Sequence, residues 1–112
     1  MVIIKETPYS KEEIEKLAEL FEVYIKTVFD TEKEICCAGC DRHFDCEQLL
    51  LENGSKQENL WGGGIDIATN TIDYNSFINI RPKQNNRGNE IQDMVVRELF
   101  DKLTKKFFKE VL

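Results

Sequence analysis

The sequence predicts an α+β domain: a small antiparallel sheet of about three strands, packed by N- and C-terminal amphipathic helices in the order α-β-α-β-β-α. Three observations carry this reading. Apolar residues recur every three or four positions near both ends of the chain, they alternate at period two in the middle, and turn-forming clusters separate the segments. At 112 residues the chain is one domain, 1–112, long enough to fold on an ordinary apolar core without a metal.

Ser10 followed by Glu13 has the capping-box pattern. Ile14, Leu17, Leu20, Phe21, Tyr24, Ile25, Val28 and Phe29 then keep helical spacing, which predicts a first helix over about residues 11 to 30. A strand is expected at Glu34 to Ala38, leading into Gly39. Asp45 with Gln48, the run Leu49-Leu50-Leu51 and then Gly54 fit a short capped helix, although the same residues could be extended. Ile65 and Ile67, then Ile72, Tyr74, Ser76, Ile78 and Ile80, alternate on either side of Ala68-Thr69-Asn70-Thr71, the pattern of a hairpin that ends at Pro82. Asn89 and Gln92 open the last helix, about residues 90 to 110, with Ile91, Met94, Val95, Leu99, Leu103, Phe107 and Val111 on its apolar stripe. The ordering of these elements places helices on one face of the sheet.

Fifteen basic residues against twenty-one acidic ones give a formal charge of -6, the wrong sign for a phosphate backbone, so nucleic acid is not an expected partner. The opening MVIIKETPYS has an apolar run of four residues, short for a signal-peptide core, and no stretch approaches the ~18 apolar residues of a membrane span. A cytoplasmic location is expected, where clustered cysteines are thiols, metal ligands or redox groups more often than structural disulfides.

The stretch ICCAGCDRHFDC, residues 35 to 46, holds all four cysteines and the one histidine. Cys37, Cys40, His43 and Cys46 supply the four ligands that tetrahedral zinc takes. Their crowding argues against convergence, since a continuous helix sends Cys37 and Cys46 to opposite sides and a strand alternates the ligands between faces. Only a tight knuckle at Ala38-Gly39, with a second bend near His43, would bring all four together. Reduced thiols, some buried as small hydrophobes, are therefore preferred to a zinc site or to a Cys37–Cys40 redox pair. Adjacent Cys36 and Cys37 point to opposite sides of a strand, which puts at least one into the core.

His43, Asp45 and Glu47 lie at alternate positions and share a face if the segment is extended, as acid–base or cation-binding candidates. The simpler roles are a helix cap for Asp45, an exposed first turn for Glu47 and a backbone carbonyl for His43. On the expected second hairpin strand, Phe77, Asn79 and Arg81 share the face opposite Ile78 and Ile80. Arg81 beside Asn79 suits a carboxylate or phosphate, with Asn86 in the following loop, while Trp61 before Gly62, Gly63 and Gly64 offers an aromatic wall. The competing reading gives Arg81 an ion pair with Glu90 or Asp93, those two and Arg97 serving to hold the loop.

At these residues the chain resembles, over nearly its whole length, a family of small bacterial and archaeal proteins known as a domain of unknown function. The resemblance is densest in HFDCEQLLLENGSKQENLWG and SFINIRPKQNNRGNEIQD. It rests on His43, Asp45, Glu47, Gly54, Ser55, Gln57, Leu60, Trp61, Gly62, Asn79, Arg81, Asn86, Glu90, Asp93 and Arg97. The family pattern has no cysteine at positions 36, 37, 40 or 46, favours glycine where Cys40 stands, and has Asn and Tyr where this chain has Gly64 and Asp66. The resemblance implies no known activity, and it directs attention to His43 and Arg81 before the thiols.

The function expected from the sequence is binding of, or action on, a small anionic ligand, with enzymatic activity left open. Arg81 would clamp the anion, Asn79 and Asn86 would orient it against Trp61, and His43 with Asp45 or Glu47 would exchange protons. The alternatives are zinc on Cys37, Cys40, His43 and Cys46, or a non-catalytic homodimer sealed by Phe107 or Phe108.

Overall fold

The computed structural model describes residues 2–21 and 23–112. Its eight principal elements are β1 (Ile3–Lys5), α1 (Lys11–Leu20), β2 (Tyr24–Asp30), β3 (Ile35–Ala38), α2 (His43–Glu52), β4 (Leu60–Asp66), β5 (Thr71–Asp73) and α3 (Met94–Phe107). The strands form one antiparallel sheet in the order β1-β3-β2-β4-β5. The architecture is α+β, but the sheet has five strands instead of about three, and the order is β-α-β-β-α-β-β-α instead of α-β-α-β-β-α.

The first added strand comes from the far half of the expected first helix. α1 opens with the Ser10–Glu13 capping box and stops at Leu20. Tyr24, Ile25, Val28 and Phe29 satisfy a helical spacing, yet the segment YIKTVF is β-branched and aromatic, and tertiary pairing on both edges makes it the central strand. Ile25 and Phe29 face one layer while Val28 faces the other, so the run is buried on both sides. The second addition is β1, three residues paired to β3 at the sheet edge.

The helices lie on both faces. α1 and α3 cover one, packing Ile14, Leu17, Phe100, Leu103 and Phe107 against Ile25, Phe29, Cys36, Trp61 and Ile65. α2 covers the other, with Cys46 and Leu50 against Val28, Ile35, Cys37 and Leu60. Phe107 and Phe108 are both fully buried, Phe108 stacked on Tyr9 at 4.8 Å between ring centroids, so the chain's own core covers both of the rings of which one was a candidate to seal a homodimer.

The hairpin forms in register, Ile65 opposite Ile72, but its second strand ends at Asp73 rather than reaching Ile80. The Asp73 carboxylate accepts from the Asn75 amide and turns the chain, and Ser76 caps a 3-10 turn over Phe77–Asn79. Phe77, Asn79 and Arg81 therefore do not share a strand face. α3 likewise starts at Met94, because Glu90 and Ile91 are held extended by an Asn75–Glu90 bridge and an Ile91-to-Tyr74 bond, leaving Asp93 to cap the Val95 and Val96 amides. No helix among the described residues is long and apolar enough to cross a membrane.

Candidate functional site

α2 begins at His43, with Arg42 at its N-cap making no side-chain cap. Helical geometry replaces the shared face expected of His43, Asp45 and Glu47. Residues two apart on a helix lie about 200° apart, so Asp45 turns away to an exposed pair with Arg42 at 2.9 Å, which holds its carboxyl below the usual carboxylate range. His43 and Glu47, four apart, stay along one side.

His43 Nε2 lies 2.7 Å from the Gly63 carbonyl oxygen. A carbonyl only accepts, so Nε2 carries the proton and Nδ1 is the acceptor nitrogen. Burial holds the imidazole below its ordinary pKa, with Lys26 adding to the effect and the Gly63 bond opposing it. The ring borders an open cleft of about 450 Å³ with Tyr24, Lys26, Asp73, Asn75, Ser76, Phe77 and Asn89. Phe77 stands 82% exposed at its rim. Glu47 is almost fully buried, its Oε2 has no hydrogen-bond partner among the described residues, and burial raises its pKa against the opposing pull of Arg81.

Arg81, Asn79 and Asn86 are engaged elsewhere. β4 is seven residues long and β5 only three, which leaves the Leu60–Gly62 edge without a strand beyond it among the described residues. Side chains cover that edge. Asn79 Oδ1 accepts from the Gly62 amide at 2.9 Å, and its Nδ2 donates to the carbonyls of Gly62, Tyr74 and Asn89. Arg81 donates to the Leu60, Gln57 and Ile78 carbonyls and to Gln84, which occupies four of its five N–H groups, and its guanidinium lies 4.0 Å from the Trp61 ring centroid. Asn86 Nδ2 ties the carbonyls of Asn79, Gly88 and Glu90, and its Oδ1 accepts from the Gln92 amide. Glu90 pairs with Arg97 at 2.9 Å. Trp61, Asn79, Arg81 and Asn86 thus come together, but as a brace on backbone groups, and none of them lines the His43 cleft.

The cysteines converge more than their spacing promised. Cys37 leaves β3 on the α2 face, Gly39 turns the chain at φ 99°, Cys40 follows the turn, and Cys46 lies on the buried face of α2. The positive φ is what asks for glycine at 39. The Sγ atoms of Cys37, Cys40 and Cys46 all lie within 4.8 Å of one another. His43 is outside this group, because the same helix start that brings Cys46 inward directs the imidazole to Gly63. Cys36 sits on the opposite face of the sheet, and all four cysteines are free thiols.

Cys37 and Cys46 are fully buried, and Cys40, 4% exposed, borders a surface groove of about 540 Å³ with Gly39, Asp41, Asp45 and Gln48. The neighbouring Cys46 and Cys40 thiols lower the pKa of Cys37 against the effect of burial, while burial raises Cys40 to about 11. Cys46 is pushed up by the adjacent Cys37 side chain and by burial. Zinc bonded to sulfur at about 2.3 Å in a tetrahedron spaces its sulfurs ~3.8 Å apart, so sulfurs within 4.8 Å of one another need draw together by ~1 Å at most.

Fold and site together define a small α+β domain with an internally braced sheet edge and a three-cysteine cluster beneath its second helix. Residues 2–107 match the family described as "Protein of unknown function (DUF5674)", and the chain belongs to that family. No curated protein and no solved structure matches it.

Proposed function

We propose that this protein binds a thiophilic metal ion through Cys37, Cys40 and Cys46. The observation that carries the reading is the approach of three buried sulfurs, from a strand, a turn and a helix, to within 4.8 Å. Cysteines serving only as small hydrophobes have no need of mutual contact, whereas soft ions such as zinc and copper(I) select thiolates that meet. The reading departs from the four-ligand set in leaving His43 out, and it presupposes a reducing compartment. Titration of the reduced, tag-free protein with zinc tests it: one equivalent should bind and protect three thiols, Cys36→Ala should bind equally, and Cys37→Ser should not. Four freely reactive thiols in the presence of zinc would end the proposal.

A second reading is supported by the His43 cleft. A neutral imidazole with Nδ1 as acceptor, beside Lys26, suits a small anionic or acidic ligand and general-base chemistry, in line with the anion-binding expectation but without Arg81 as its clamp. Inorganic phosphate and simple carboxylates should shift the His43 ring resonances in this reading, with Lys26→Ala weakening the response. Unchanged resonances at millimolar ligand would remove it.

A further inference from the structure

We infer that the three-thiol cluster takes a trivalent metalloid hydroxide, of the arsenite class, in preference to a divalent metal ion. The inference rests on the three-thiol reading and narrows it to the ion that this cage suits. Its grounds are ligand number, charge and surroundings.

The ligand number is three. Among the described residues, no histidine, aspartate or glutamate joins Cys37, Cys40 and Cys46 within 4.8 Å, and His43 is held by Gly63. A structural zinc site closes its tetrahedron with a fourth protein ligand, whereas trivalent arsenic is complete with three sulfurs and keeps a lone pair in the remaining direction.

Charge argues the same way. Three thiolates around a divalent cation leave one net negative charge in a pocket formed with Val28, Ile35, Leu50 and Leu60. No hydrogen bond or ion pair from a cationic side chain reaches the three sulfurs among the described residues to compensate it. A buried charge without a partner is strongly disfavoured. The metalloid avoids it: As(OH)3 + 3 RSH gives As(SR)3 + 3 H2O. Three As–O and three S–H bonds break, three As–S bonds form, and each thiol proton leaves on a hydroxide as water. No electron is transferred, and both the incoming molecule and the product are neutral.

Access fits this exchange. Cys40 is the sulfur at the wall of the surface groove, so an uncharged hydroxide would meet it first, before the fully buried Cys37 and Cys46. Water released at each substitution can leave along the same groove.

Arsenite and zinc, added separately and in competition to the reduced full-length protein, test the inference by intact-mass measurement under native conditions. Wild type and Cys36→Ala should each gain one arsenic atom less three hydrogens, and arsenite should displace bound zinc. Cys40→Ala should bind arsenite at least ~100-fold more weakly, since losing a ligand exceeds the 10–100-fold cost of losing an outer-shell partner. Zinc binding without an arsenic adduct would overturn this inference and leave the metal reading standing, and binding of neither would overturn both. An adduct that lacks only two hydrogens, or that survives Cys40→Ala unchanged, would also overturn it. The wild-type mass decides the matter even if a variant fails to fold.

Discussion

Replacing Asn79 by alanine removes the side chain that stands in for a strand along the Leu60–Gly62 edge. Asn79 is fully buried, and the Gly62 amide has its carboxamide oxygen as partner at 2.9 Å. The Tyr74 and Asn89 carbonyls keep other donors, the amides of Ile91 and Ser76, so losing Nδ2 costs little there. The cost concentrates on Gly62: about 1–3 kcal/mol for a buried amide left unpaired and about 1 kcal/mol for its weakened carbonyl. With the small cavity left by the amide group the sum is roughly 3–4 kcal/mol, a large part of the 5–15 kcal/mol stability of an ordinary domain. Urea unfolding followed by circular dichroism should show the midpoint falling by roughly 2 M at an unchanged slope. Asn79→Asp keeps the acceptor for Gly62 but turns a carboxylate toward three carbonyls, so it should be at least as unstable at pH 7 and recover in acid. A loss below about 1 kcal/mol in Asn79→Ala would mean that water satisfies this edge, and the brace would not be what holds the loop.

Gly63→Ala should destabilise by about 1–3 kcal/mol or more, because the added methyl would meet the Asp73 carbonyl and lie 2.7 Å from the Phe100 ring; thermal unfolding checks this. His43, whose pKa is lowered on folding, binds fewer protons folded than unfolded as pH falls below ~6.5, so its contribution is complete above that pH and is lost as pH falls through the folded value. An NMR titration should give His43 an apparent pKa below ~6.5 with the proton on Nε2, and a higher value would contradict the half-buried neutral ring. Asp93→Ala removes the cap on the Val95 and Val96 amides and should cost about 1 kcal/mol in chemical unfolding, with Asp93→Ser recovering most of it.

The capped start of α1, the apolar stripe of α3 and the turn of the β4–β5 hairpin were legible because each has a local signal: a capping box, a helical stripe, a four-residue turn cluster. β2 was hidden in an apparent helix because Tyr24, Ile25, Val28 and Phe29 fit a 3.6-residue period and a two-sided buried strand equally well, and no glycine or proline marks the end of α1 at Leu20. β1 is too short to show a period. The residue types around Asn79 and Arg81 announce a buried polar cluster, but their partners are backbone carbonyls, and a carbonyl has no signature in a sequence. For the cysteines, spacing alone set four ligands in competition along twelve residues. The start of α2 at His43, which has no capping side chain to reveal it, selects three of them and sends the histidine away.

The central claim, that Cys37, Cys40 and Cys46 act as one thiolate centre, is tested most directly by cadmium titration of the reduced protein, read from the sulfur-to-metal charge-transfer band and by counting reactive thiols. One equivalent should saturate the band, leave Cys36 as the single thiol without a metal bond, and lose the band's full intensity in each of Cys37→Ser, Cys40→Ser and Cys46→Ser. A titration with no band, or one whose intensity depends on Cys36 as much as on the other three, would contradict the account.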